Sequence, residues 1–212
     1  RIALLAAGLR PNDITFTALL DAAAKAGDAS AALDWYDAMR KSDVEPCIMA
    51  FNVLVGLPSP PGESDSVEHW LPVMLRASVQ PDTVTFNAAL SVCAKRGDPA
   101  RGEAWFARMT TVAALEPDVC SYGAVIHGFA RAAGVDESAA WFAHMERRGI
   151  RATTIQYNQL LHACALGRPE ATPGIFRRML AAGCEPTPTT FAMLRPLSSG
   201  RKPAARQDQR TA

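Results

Sequence analysis

The chain has 212 residues, is 49% hydrophobic, and carries 22 Lys plus Arg against 21 Asp plus Glu, for a formal charge of +1. That is apolar material enough for the core of one or two ordinary domains, and the overall charge marks no basic nucleic-acid footprint. No apolar run reaches the roughly 18 residues a membrane span needs, so no membrane partner is expected. The charge balance hides an asymmetry. Residues 195–212 hold Arg195, Arg201, Lys202, Arg206 and Arg210 against Asp208 alone, so this stretch carries +4 and the first 194 residues carry −3. Any phosphate contact must therefore come from locally placed side chains. The cysteines Cys47, Cys93, Cys120, Cys164 and Cys184 are odd in number and widely spaced. This fits a reducing compartment better than a disulfide framework.

In chain order, Arg1 to Asn12 reads as the closing half-helix of an earlier unit. The chain opens on Arg1 in mid-unit and is expected to be a piece of a longer protein, so it says nothing about a targeting peptide. Asp13 to Cys47 is the first complete unit. Phe16, Leu19, Leu20 and Ala23 fall on one face of a helix. Gly27 suits a left-handed helix end and Asp28 the N-cap of the next helix. Ala32, Trp35, Tyr36 and Met39 repeat the same spacing, and Pro46 is expected to stop that helix. The unit is a helical hairpin.

Ile48 to Asp82 is a second unit of matching ends but irregular middle. Phe51-Asn52, Trp70, Met74 and Pro81-Asp82 keep the pattern, while Gly56, Pro58, Pro60, Pro61 and Gly62 interrupt the first helix. That helix is expected to stop near Gly56, with a non-helical, mobile loop over Pro58 to Gly62. The second helix should begin near Ser64 or Ser66, kinked or delayed by Pro72.

Thr83 to Asp118 restores the plan with Phe86, Leu90, Gly97-Asp98, Trp105, Phe106 and Met109, with one extra residue between Val112 and Leu115. Val119 to Thr153 carries Tyr122, Val125, Ile126, Gly134, Trp141, Phe142 and Met145. Thr154 to Thr187 carries Tyr157, Leu160, Leu161, Ile175, Phe176 and Met179. Pro188 to Arg195 opens a further unit cut off by Pro196, and residues 196–212 read as a disordered basic tail. The aromatic–x–x–Met stripe is a core stripe, since neighbouring hairpins must bury these faces against each other. A period of this size means stacked hairpins, an all-α solenoid that binds along an extended surface.

The chain resembles the pentatricopeptide repeat family. The resemblance rests on the aromatic-Asn pairs Phe51-Asn52, Phe86-Asn87 and Tyr157-Asn158, and on the Lys-x-Gly turns at Lys25 to Gly27 and Lys95 to Gly97. It also rests on the aromatic–x–x–Met stripe and the closing Pro81-Asp82 and Pro117-Asp118. The tetratricopeptide repeat is the near alternative, but it wants Trp in the first helix of each unit, and Trp35, Trp70, Trp105 and Trp141 all fall in second helices.

The resemblance implies a right-handed superhelical solenoid that binds single-stranded RNA, one base per repeat. The fifth and last residues of each unit would read the base: Thr17 with Cys47, Asn52 with Asp82, Asn87 with Asp118, Gly123 with Thr153, and Asn158 with Thr187. Asn with Asp implies uracil, so the second and third units imply two consecutive uracils, and Asn158 with Thr187 a weak pyrimidine preference. Thr17 with Cys47 and Gly123 with Thr153 depart from the usual pairs. Taken singly, Asn in a first turn and Asp ahead of a helix are also ordinary capping choices. The second residues Ile14, Met49, Val84, Cys120 and Ile155 would sandwich bases by apolar contact. Lys25, Lys95 and Arg131 are candidates for phosphate contacts, with solvated surface charge as the alternative. Pro60 and Leu166 stand in that place in the other two units.

No catalytic constellation is legible. His127 and His162 occupy matching places in their units, which points to structural recurrence, and His69 and His144 join no cluster. The His-x-Glu and Cys-x-x-Cys signature of zinc deaminases is absent, and Cys93 and Cys164 read as small buried hydrophobes. No metal or cofactor is expected. The resemblance implies work in organellar RNA processing, stabilisation or translation, in a chloroplast ahead of a mitochondrion, with other proteins of an RNA-processing complex as further partners. A peptide-binding scaffold, or the RNA-binding part of a larger processing enzyme, stays open as an alternative.

Overall fold

The structure, a computed structural model, describes residues 11–58 and 66–194. The expectations for residues 1–10, for the loop from Ser59 and for the basic tail lie outside these. The described residues form helices and contain no strand. They run as hairpins: α1 (Asp13–Lys25) with α2 (Ala29–Lys41), α3 (Ile48–Val55) with α4 (Ser66–Arg76), and α5 (Thr83–Arg96) with α6 (Pro99–Thr111). Then follow α7 (Val119–Arg131) with α8 (Val135–Arg147), and α9 (Thr154–Gly167) with α10 (Thr172–Ala181), the last two joined through a 3-10 turn at Pro169–Ala171. A final helix, α11, spans Pro188–Leu194. The first helices α1, α3, α5, α7, α9 and α11 pack on one another in sequence, and each is backed by the second helix of its own hairpin where one is described. The fold is an all-α superhelical solenoid, and the continuous row of first helices is what places recurrent side chains in line.

The periodic residues are the core. Phe16, Phe51, Phe86, Tyr122 and Tyr157 are buried, and Met39, Met74, Met109, Met145 and Met179 are fully so. Aromatic edges join successive hairpins: Tyr36 to Trp70 at 4.8 Å between centroids, Phe106 to Trp141 at 4.8 Å and Phe142 to Tyr157 at 5.0 Å. Such tilted and edge-on geometry suits the ring quadrupoles. Trp70 and Trp105 are buried, whereas Trp35 and Trp141 are only partly covered. The Trp141 Nε1 donates outward to Glu103 Oε1 at 2.9 Å. Phe191 remains exposed because α11 is the last described helix and has no described hairpin partner over it.

The turns follow local chemistry. Gly27 and Gly97 adopt left-handed φ of 77° and 70°, which costs glycine nothing. Asp28 then caps α2 through the Ala31 N–H at 2.9 Å, and Asp98 caps α6 through the Arg101 N–H at 3.1 Å. The fourth hairpin departs from this scheme. Its left-handed residue is Ala133, with φ 58°, while Gly134 takes the N-cap place without a side-chain bond.

The second-helix ends correct the reading of Pro46. α2 stops at Lys41, before the proline is reached. The stop is a backbone closure: Asp43 turns left-handed and the Val44 N–H returns to Met39 O at 3.2 Å. Ser78, Ala114, Gly149 and Gly183 are left-handed at the matching places. The next apolar residues, Val79, Leu115, Ile150 and Cys184, donate to the carbonyls of Met74, Met109, Met145 and Met179. These closures satisfy orphan carbonyls, so Pro46 lies in the extended link beyond.

In the irregular hairpin, α3 ends at Val55 with Gly56 as its C-cap. The Ser66 hydroxyl lies 3.0 Å from Val55 O and 2.8 Å from Leu57 O, tying the start of α4 back to the end of α3. Pro72 sits inside α4, where it deprives one carbonyl of its helical donor.

Candidate functional site

The closing residue of one unit is the N-cap of the next first helix. Asp82 caps α5 through the Thr85 N–H at 2.8 Å, and Asp118 caps α7 through the Ser121 N–H at 2.8 Å. Thr153 caps α9 and Thr187 the start of α11. Cys47 holds the N-cap place of α3 but makes no side-chain cap bond. Because the first helices lie side by side, Asp82, Asp118 and Thr187 also face the first helix of the unit they close. In these three units capping and pairing with the fifth residue are done by the same atoms.

Asn87 Nδ2 donates to Asp118 Oδ1 at 3.1 Å. Asn52 Nδ2 lies 3.5 Å from Asp82 Oδ1, and Asn158 Nδ2 donates to Thr187 Oγ1 at 3.3 Å. Thr17 Oγ1 and Cys47 Sγ are 3.5 Å apart. Four of the five expected pairs are thereby brought together. The fifth is not: Gly123 has no side chain, and the Thr153 hydroxyl donates to Gln156 Oε1 at 2.6 Å. Burial pushes the Asp118 carboxyl up. Hydrogen bonds from the Ser121 backbone, the Asn87 amide, the Ser121 hydroxyl and the Cys120 backbone outweigh it and hold the carboxyl below its ordinary value. It is an ionised, acceptor-only partner for Asn87 at neutral pH.

Beside these pairs stand the second residues. Ile14, Met49, Val84 and Ile155 are 71%, 65%, 57% and 63% exposed, and Cys120 is exposed too. These apolar side chains recur at one place in the unit and lie outside the core. Lys25 is exposed and paired with Asp21 one turn earlier on α1. Lys95 and Arg131 are exposed and make no ion pair among the described residues. His127 is held below its ordinary value first by burial, then by Arg131, His162 and Lys95. It is therefore neutral beside the two cations.

Sequence reasoning passed over the third residue of each unit. Thr85, Ser121 and Thr190 are buried, and each hydroxyl reaches the asparagine of the preceding unit. The distances are 2.5 Å from Thr85 to Asn52 Oδ1, 2.6 Å from Ser121 to Asn87 Oδ1 and 2.7 Å from Thr190 to Asn158 Oδ1. Hydroxyls three residues into each capped helix were visible as capping-box members, but only the stacking of helices shows their second partner. Among the described residues, no three His, Cys, Asp or Glu side chains are grouped to hold a metal ion, and no helix is long and apolar enough to cross a membrane. Cys93 and Cys164 are buried, and burial pushes the Cys164 thiol up.

An all-helical solenoid whose first helices carry a capped, paired polar row beside an open apolar row is the architecture of a helical-repeat protein. The family described as the pentacotripeptide-repeat region of PRORP matches residues 7–195, and the chain belongs to that family. No curated protein matches the chain. Among solved structures it is similar to the pentatricopeptide repeat protein PPR10 in complex with an 18-nt psaJ RNA element, at 20% identity and a TM-score of 0.78 over 91% of this chain and 29% of that one. It is also similar to the PPR domain of Arabidopsis thaliana protein-only RNase P 1 in complex with tRNA, at 21% identity and a TM-score of 0.61 over 82% of this chain and 92% of that one. A third likeness is to nuclear proteinaceous RNase P 2 of A. thaliana, at 19% identity and a TM-score of 0.62 over 87% and 42%. The chain thus spans under a third of PPR10, and at these identities the likeness is one of fold.

Proposed function

We propose that the chain binds single-stranded RNA along its row of first helices, one base per repeat, with Asn52/Asp82 and Asn87/Asp118 each reading a uracil. The observation that carries this reading is the recurrence of one constellation. An asparagine amide is held by the closing residue of its unit, next to an exposed apolar second residue, in three units. The structures of PPR10 with RNA and of the RNase P domain with tRNA support RNA as the class of ligand.

The chemistry is direct. Each amide retains one N–H and one lone pair, a donor and an acceptor side by side. Uracil offers its O4 acceptor beside its N3–H donor, and adenine places an N6 donor where uracil has O4. Ile14, Met49, Val84, Cys120 and Ile155 would lie against base faces, a sequence-tolerant contact. Lys25, Lys95 and Arg131 would position phosphates without specifying bases. Asn158 with Thr187 reads a pyrimidine more weakly, because a hydroxyl can accept or donate. Two good pairs supply only about 1–3 kcal/mol of discrimination each, so the selectivity is that of a short motif. The setting is an organelle, chloroplast ahead of mitochondrion, on family resemblance alone. Binding of fluorescent single-stranded RNAs that differ only in a central U-U or A-A tests the reading. Tighter binding of U-U supports it, and equal binding refutes it.

A further inference from the structure

Three hydroxyls and one glutamine recur at a place to which the function above gives no role. These are the third residues of the units that begin at Thr83, Val119, Thr154 and Pro188, namely Thr85, Ser121, Gln156 and Thr190. We propose that this third residue decides whether, and in which orientation, the fifth residue of the preceding unit reads a base. The inference rests on the RNA-reading function proposed above and deepens it.

An asparagine amide turned over by half a rotation exchanges its donor and its acceptor. Left free, it accepts either arrangement of a base edge. Asp118 fixes one side, because a carboxylate can only accept and so draws Asn87 Nδ2. Ser121 fixes the other. Its oxygen takes the Asp118 backbone N–H at 3.2 Å, and its one proton lies between two acceptors, Asp118 Oδ1 at 3.0 Å and Asn87 Oδ1, the nearer at 2.6 Å. Asn52 is held in the same way. Thr85 accepts the Asp82 N–H at 3.2 Å and donates to Asn52 Oδ1 at 2.5 Å. Thr190 repeats the arrangement, accepting the Thr187 N–H at 2.9 Å and donating to Asn158 Oδ1 at 2.7 Å. The three hydroxyl residues are no more than 1% exposed. They do not meet a base themselves; they are positioning residues.

The two irregular pairs follow from the same place. Ahead of Thr17/Cys47 the third residue is Ala50, buried and without a hydroxyl, so nothing at that place orients a polar reader. At Gly123 the third residue is Gln156, and its longer side chain lies where a fifth-residue side chain would go. Its Oε1 takes the Thr153 N–H at 3.1 Å and the Thr153 hydroxyl, and its Nε2 lies 3.4 Å from Val119 O. A Cβ at position 123 would sit 2.7 Å from that Nε2. Gln156 is itself 4% exposed, so it fills the reading slot without presenting an edge. The Gly123/Thr153 unit is silent because it is occupied, and an asparagine placed there alone meets Gln156.

The test uses the purified full chain with fluorescent single-stranded RNAs, U-U against A-A in the centre, and with every base in turn on either side of U-U. Ser121→Ala should lower the U-U over A-A affinity ratio about fivefold, as expected for one lost hydrogen bond, while affinity for A-A RNA holds. Ser121→Thr should restore the ratio. Gly123→Asn alone should add no base preference, and Gly123→Asn with Gln156→Ser should create a new selective position beside U-U. Melting curves separate folding from reading, since Ser121 also caps α7. A U-U preference that survives Ser121→Ala despite a lower melting temperature overturns the inference and leaves the RNA-reading function standing. So does a new preference from Gly123→Asn alone, or none from the double variant. Absence of any base preference in the unsubstituted chain overturns both.

Discussion

Replacing Trp105 by Ala tests the packing register of the solenoid. Trp105 is 4% exposed. Its indole lies against Phe86 with centroids 6.3 Å apart, and the Arg108 guanidinium stands 4.4 Å over its ring. Truncating a buried Trp costs about 3–5 kcal/mol, and the lost cation–π contact adds about 0.5–1 kcal/mol at such a surface edge. Trp35 sits at the matching place of α2 but is only partly covered, so its truncation should cost roughly 1–2 kcal/mol by the area lost from contact. Urea unfolding followed by helical circular dichroism compares the two variants directly. The reasoning fails if Trp105→Ala loses no more stability than Trp35→Ala.

Three further outcomes follow. Ala133 is left-handed, so Ala133→Gly should gain about 0.5–1 kcal/mol, the left-handed penalty less the entropy of an added glycine; Gly97→Ala, at φ 70°, should lose a similar amount, and melting temperatures moving the other way would refute the turn assignment. His127 has a depressed value, so its contribution to stability is present above the unfolded value near ~6.5 and is lost as pH falls below it. The melting temperature should fall between about pH 7 and 5, His127→Gln should flatten that fall, and an unchanged profile would exclude His127 as its source. Lys95→Ala should weaken U-U and A-A RNAs alike and reduce the slope of log affinity against log salt by about 0.7; a loss confined to one RNA would show that Lys95 touches a base.

Much of the fold was legible because one period runs through every level. Phe16, Phe51, Phe86, Tyr122 and Tyr157 recur with the methionines at helical spacing, and the same residues are buried. The Gly56 break of α3 was legible from backbone chemistry alone. Pro46 misled because a strong helix breaker in the sequence drew attention from the closure already made at Asp43, a residue that enters the left-handed region more readily than most but is no glycine to mark the turn. Ala133 hid the fourth turn in the same way, since Gly134 beside it looks like the natural left-handed residue. The fifth-and-last pairs were legible as a recurrence. The Ser121, Thr85 and Thr190 contacts were not, because they join residues 32–34 apart in sequence and exist only once one first helix lies against the next. Gln156 over Gly123 is the same case: the missing side chain was visible, and what fills its place was not.

The most direct test of the central claim is the affinity of Asn87→Ala for the U-U and A-A RNAs at two salt concentrations. Asn87 donates to Asp118 and accepts from Ser121, so the substitution removes the whole reading edge while leaving the Asp118 cap on α7 in place. The loss for U-U RNA should be about 1 kcal/mol, or nearer about 2 if the base edge is left unpaired. A-A RNA should lose less, and both losses should be independent of salt. Equal losses for the two RNAs would reduce Asn87 to a structural partner of the α7 cap and contradict base reading.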